Sequence, residues 1–165
     1  MSSPASIREV ERAAARIPLV VFRLETRHYA LQLQLVERVL PMMALTPLPG
    51  APAIVLGALM LEGRIVPVLD MRGRFGLPRR SPQLTDRLIV ANTGRRDVAL
   101  AVDDVVGTIE RARAEIVPAA AVLPGLQQIE GLVGFADGLL LIQNLHRFLS
   151  LEEDTQIASA LGAGR

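Results

Sequence analysis

The stretch "LEGRIVPVLDMRGRFG" (61–76) sets a lone carboxylate, Asp70, at the end of an apolar run, followed by Arg72 and Arg74 on either side of Gly73. A carboxylate beside a basic loop is the raw material of a general acid next to an anion grip. The remaining chemistry-bearing residues do not complete such a site. With no cysteine, there is no thiolate nucleophile, disulfide or Cys-based zinc site. All 18 basic residues are Arg, so a Lys Schiff base is excluded. His28 and His146 stand singly, without a second ligand at metal-binding spacing. Asp103 and Asp104 adjoin, so on a strand they face opposite sides and form no dyad; Asp104 is expected to face water and Asp103 to satisfy backbone groups at a turn. Neither G-x-x-x-x-G-K-[ST] nor G-x-S-x-G occurs. Arg72, Arg74, Arg79 and Arg80 read as a solvated basic loop, and five aromatic residues give little to stack bases on. No catalytic residue, metal, cofactor or nucleic acid is therefore expected.

The elements that must position these residues follow from pattern. Half of the 165 residues are apolar and the net charge is +1, which fits one core-bearing domain with no global field. No apolar leader opens the chain and no run of about 18 uncharged apolar residues occurs, so a cytoplasmic protein without a membrane span is expected. Ile7, Val10, Ala14 and Ile17 predict a short helix ended by Pro18. From Leu19 the pattern is strand and turn: "LVVFRLE" and "YALQLQLV" around "TRH", the strand "ERVLPMMA", an extended loop at 46–52, a hairpin turning at Glu62–Gly63, and another around Asp137–Gly138. The polar segment 77–86 divides the chain, and "NLHRFLSLEEDTQIASAL" closes it with helical spacing.

The pattern repeats. A shift of 69 lays Val20 on Ile89, Val21 on Val90, Ala30 on Ala99 and Leu31 on Leu100; a shift of 74 lays Gly57 on Gly131, Ile65 on Leu139, Val68 on Ile142 and Asp70 on Asn144. Two β-units are expected, at about 19–77 and 87–150, inside a domain at 19–161, with an N-terminal extension at 1–18 and a tail at 162–165. Asn144 cannot be a general acid, but Asp and Asn are both good helix N-caps. Capping accounts for both positions, and a small hydrolase built on Asp70 accounts for one.

From Leu19 to Leu161 the chain resembles the CheW-type chemotaxis adaptors. "VVFRLETRHYALQLQLVERVL" resembles the family's first hairpin. "TPLPGAPAIVLGALMLEGRIVPVLDMRGRFG" resembles its T-x-L-P loop, turn, P-V-x-D-L-R and F-G block, "VALAVDDVVGTI" its V-D-x-V element, and "GLLLIQNLHRFL" its closing strand and helix. The resemblance implies a mostly β fold of two five-stranded, SH3-like barrels with short helices and a C-terminal helix, an early strand or that helix crossing between barrels. It implies a non-catalytic scaffold coupling the cytoplasmic tip of methyl-accepting chemoreceptors to the regulatory domain of a CheA-type histidine kinase, recruited to membrane-associated receptor arrays. Carried over by position, Val36, Arg38, Glu62 and Val105 form the receptor groove. Leu48, Pro49, Ile54, Leu61, Gly63 and Ile65 are the candidates for the kinase contact. The family commonly has an acidic residue where Arg38 stands and Arg where Glu62 stands, so both signs are reversed here. That reversal reads either as a structural pair swapped without consequence or as altered partner choice, as in a specialised pathway with pili or cyclic-nucleotide output. The alternative is an array-assembly or localisation protein that self-associates without binding receptors.

Overall fold

The structure, a computed structural model, describes residues 4–122, 124–125 and 127–163. Helix α1 (Pro4–Ala14) leads into β1 (Arg16–Leu24), β2 (Arg27–Gln32) and β3 (Val36–Pro41). A loop precedes the hairpin β4 (Val55–Leu61) and β5 (Arg64–Asp70), which ends in the one-turn helix α2 (Met71–Arg74). After the connector come β6 (Arg87–Asn92), β7 (Asp97–Val102) and β8 (Asp104–Ala112), then the short β9 (Val117–Pro118) and α3 (Ala119–Val122). The hairpin β10 (Ile129–Phe135) and β11 (Gly138–Gln143) precedes the closing helix α4 (Leu151–Ala163).

These strands form two sheets, in the orders β8-β1-β2-β11-β10-β9 and β3-β6-β7-β5-β4. The fold is mostly β, but the sheets hold six and five strands, and neither is a barrel closed by ladders. What joins the ends of the five-stranded sheet is a single bridge, in which Thr46 and Ala58 exchange hydrogen bonds of 2.8 and 2.7 Å. In the other sheet the chain runs from β8 through a 3-10 turn at Arg113–Glu115 into β9, which pairs with β10. Both approaches are close enough to require glycine: a Cβ on Gly57 would lie 2.9 Å from the Thr46 carbonyl, and one on Gly131 would lie 2.7 Å from Ile116.

Each sheet is built from both halves of the sequence. The hairpin β1–β2 lies between β8 and β11, and the hairpin β6–β7 lies between β3 and β5. The register repeats at the shifts read from the sequence. Val21 faces Ala30 as Val90 faces Ala99, and the parallel pairs Ile142–Ala30 and Val68–Ala99 correspond. These central strands are buried on both faces. In β1, Leu19 and Val21 point into a core within the first sheet, while Phe22 and Leu24 point into a central core shared by both sheets. In β6, Leu88 and Val90 fill the core of the second sheet while Ile89 and Ala91 face the central one. That is why "LVVF" (19–22) and "LIVA" (88–91) read as unbroken apolar runs rather than alternation.

The predicted helix at 7–17 lies three residues earlier, because Arg16 and Ile17 already pair with Ala112 and Arg111 of β8. Pro18 does not end the helix but sits in β1 before the pairing with β2 begins at Leu19, so its missing N–H costs no ladder bond on that side. The last hairpin turns at Ala136–Asp137, with Ala136 at φ 50° and Phe135 opposite Gly138, one residue ahead of the expected turn.

Candidate functional site

Asp70 and Asn144 do occupy the N-cap positions, but neither side chain makes a capping hydrogen bond. Their ψ angles of 98° and 93° lie at the edge of the extended region, and the helices that follow are a single turn. What the two positions share is a backbone bond. The Asp70 N–H donates to the Ile54 carbonyl and the Asn144 N–H to the Gln128 carbonyl, both at 2.7 Å. The equivalence was sound and the capping bond was the wrong reason for it.

Arg72 is no member of a solvated loop. It is 8 % exposed, and its guanidinium grips Asp103 with Nε and Nη2 at 3.0 and 2.6 Å. Its Nη1 donates to the Glu25 carboxylate and the Pro78 carbonyl. Arg80 donates to both oxygens of Asp86, at 2.9 and 2.7 Å, and to Asp103 at 3.0 Å. Asp103 also accepts the Glu25 N–H at 2.8 Å, the backbone-satisfying role expected of it. Three carboxylates and two guanidiniums thus meet where the connector, α2, the β1–β2 turn and the β7–β8 junction converge. Every charge there has an opposite partner, which is what buried ions require.

A second charged cluster lies at one end of the five-stranded sheet. Arg38 donates to Glu62 at 2.7 Å and to Glu37 at 3.2 Å. Arg64 donates to both oxygens of Glu37 at 2.6 Å and bonds to Asp97. β3 and β4 are opposite edges of this sheet, so the Arg38–Glu62 bond ties edges that no ladder joins, and Arg64 ties β5 to β3 and β7. The bond to Glu62 raises the pKa of Arg38, and the bond from Arg64 lowers that of Glu37. These side chains are exposed enough for solvent to screen them, so their effect is on shape and recognition more than on net stability. Glu62 sits at φ 50° and Gly63 at φ 80°, the two-residue turn read from the sequence.

Val36 and Val105, equivalent at the shift of 69, are both half-buried against the central core. They are rim residues of the seam between sheets. Of the other surface candidates, Leu48, Pro49 and Ile65 line a mainly apolar cleft of about 330 Å³ together with Thr46, Met60 and Leu161. Met60 is 65 % exposed and faces Ile65 across the hairpin. Ile54 does not belong to that surface: it is 6 % exposed and packs in the central core. Leu61 is half-buried against the core of its own sheet. Sequence reading missed Met60 and Leu161. Met60 was legible as the outward residue between Leu59 and Leu61, whereas the arrival of α4 at this cleft is a tertiary event. Among the described residues no group of three or more His, Cys, Asp or Glu gathers as a metal site, and no helix is long and apolar enough to cross a membrane.

The profile of the CheW-like domain matches residues 18–153. The chain belongs to the CheW-like family. Chemotaxis protein CheW of Rhizobium meliloti is 29% identical over 125 residues, 76% of this chain and 77% of that one. Chemotaxis protein CheW of Klebsiella aerogenes is 25% identical over 155 residues, 93% of each. In three dimensions the chain is similar to the scaffolding protein TtCheW of Thermoanaerobacter tengcongensis, with a TM-score of 0.76 and 27% identity over 84% of this chain and 96% of that structure.

Proposed function

We propose that this CheW-like protein is a non-catalytic adaptor that couples the cytoplasmic tips of chemoreceptors to the regulatory domain of a CheA-type histidine kinase. The observation that carries the reading is the separation of two apolar surfaces on one interleaved core. Val36 and Val105 rim the seam between the sheets, while Leu48, Met60 and Ile65 line a cleft on the second sheet. Half-buried apolar rims and exposed apolar strand faces are the usual means of protein docking. The seam is assigned to the receptor and the cleft to the kinase. The turn and loop linking both sheets into barrel-like bodies also suit the SH3-like description implied by the family. Reconstitution tests the reading: adding the protein to receptor tips and kinase should change kinase phosphorylation. A protein that binds kinase or itself but never receptor tips is an array-assembly scaffold instead.

The reversed pair Arg38–Glu62 adds a reading of partner choice. Because the two residues bond to each other, exchanging them keeps an ion pair while inverting the charge shown at the rim. Rim charges act mainly on specificity and association rate. The variant Arg38→Glu/Glu62→Arg should therefore reorder affinities across a panel of receptor tips, with an unchanged melting temperature. An unchanged ranking removes this reading, and with it the specialised pathway.

A further inference from the structure

Asp103 is the residue at which the chain leaves the second sheet for the first. It follows β7 directly and precedes Asp104 and Val105 of β8. Its carboxylate has room for about four hydrogen bonds, two per oxygen. All four are present. Oδ1 accepts from Arg72 Nε and Arg80 Nη2, both at 3.0 Å, and Oδ2 accepts from Arg72 Nη2 at 2.6 Å and the Glu25 N–H at 2.8 Å. The Asp103 N–H donates in turn to the Arg23 carbonyl at 3.0 Å. Arg72 follows β5, Arg80 lies in the connector, and Glu25 is in the β1–β2 turn, where it holds φ 55°. A carboxylate saturated from three separate segments cannot rotate or shift without breaking charge-assisted bonds in a buried place. Its side chain is 10 % exposed.

Among the described residues, the equivalent crossover from β2 to β3 holds no carboxylate saturated in this way. At the shift of 69 Gln34 stands where Asp103 does, and among the described residues its amide donates to Gln32 at 3.0 Å, on the surface. The two rim valines are therefore supported differently. Val105 stands two residues from a saturated buried carboxylate, whereas Val36 stands two residues from an exposed amide and next to Glu37, whose more exposed carboxylate accepts from Arg64 and Arg38.

We propose that Asp103 is a positioning residue for partner binding, fixing the Val105 rim of the seam through a buried carboxylate, while the Val36 rim is held by the more exposed, solvent-screened pairs of Glu37 with Arg64 and Arg38 with Glu62. This rests on the assignment of the seam to the receptor. Asp103→Asn keeps the shape but turns half of the acceptor capacity into an N–H₂ group facing two guanidiniums. Amide exchange of the free protein should accelerate locally at 103–106 and stay unchanged at 36–38. Affinity for a receptor-tip fragment should fall about tenfold, the expected result of disordering one rim, with affinity for the kinase regulatory domain unchanged. Unchanged exchange at 103–106 overturns the proposal, as does a uniform acceleration over both sheets, which would make Asp103 a plain stability residue. A local acceleration with undiminished receptor affinity also overturns it. If the wild-type chain fails to bind receptor tips, the receptor assignment fails by itself, and the exchange pattern alone decides whether Asp103 holds Val105. Should Asp103→Asn not fold, Arg80→Gln removes one of the four bonds and is expected to show the same local pattern in weaker form.

Discussion

At the scale of single residues, the side chains that matter most were the hardest to read. Arg72 reads as one of four loop arginines, and its buried partner is Asp103, 31 positions later, a residue expected to satisfy backbone groups at a turn. No local pattern carries a pairing of that range. Asp70 and Asn144 were matched correctly because the repeat is local to each unit, but the bond they share is made by backbone atoms, which sequence does not distinguish. His146 shows the same limit. Its Nδ1–H donates to the Thr93 carbonyl at 2.7 Å, and the ring packs on Gly94, where a Cβ would lie 2.6 Å away and φ is 95°. Gly94→Ala should therefore cost about 1–3 kcal/mol through strain and displacement of the ring, measurable by urea unfolding. A change within error would mean that the hairpin turn moves freely from His146.

Strands were legible because their apolar runs are bounded by turn residues, and hairpins because two residues suffice to close them. What pattern could not supply was the destination of each element. α4 shows why. Its helical spacing was visible, and Ser150 and Glu153 cap its start reciprocally, each accepting the other's N–H at 3.0 Å. Its docking depends on partners far away in sequence: Arg96 bonds Asp154 and Arg74 bonds Glu153, both at 2.6 Å, and Ile157 is wholly buried in the central core. Ile157→Ala should cost about 2–5 kcal/mol, and should loosen α4 and the Leu161 wall of the apolar cleft together. Chemical denaturation gives the first quantity. Kinase-domain affinity gives the second, and undiminished affinity would detach α4 from that surface.

For the molecule as a whole, charge pairing gives stability a definite pH dependence. Burial by itself would raise the pKa of Asp86, but the Arg80 fork and the Gln83 N–H outweigh it and hold the group below its ordinary value of 3.8. Burial likewise opposes, and the Ser150 N–H and Arg74 outweigh, at Glu153, which is held below 4.5. Depressed carboxylates stabilise fully above their unfolded pKa values and lose that contribution as pH falls through the folded ones. The urea midpoint should therefore decline below about pH 4, and Asp86→Asn should flatten that decline; a midpoint constant from neutral pH down to about pH 3 would show these pairs to be energetically idle. The division of the chain into similar halves was legible from spacing, but their interleaving is a global property, fixed by which halves must share a buried face. That interleaving bears on synthesis. β2 pairs with β11, so Tyr29, made early, waits for Leu141, made late. Every strand of the second sheet has been made once Val102 leaves the ribosome, whereas the first sheet cannot place β2 between its neighbours until β11, ending at Gln143, has been made.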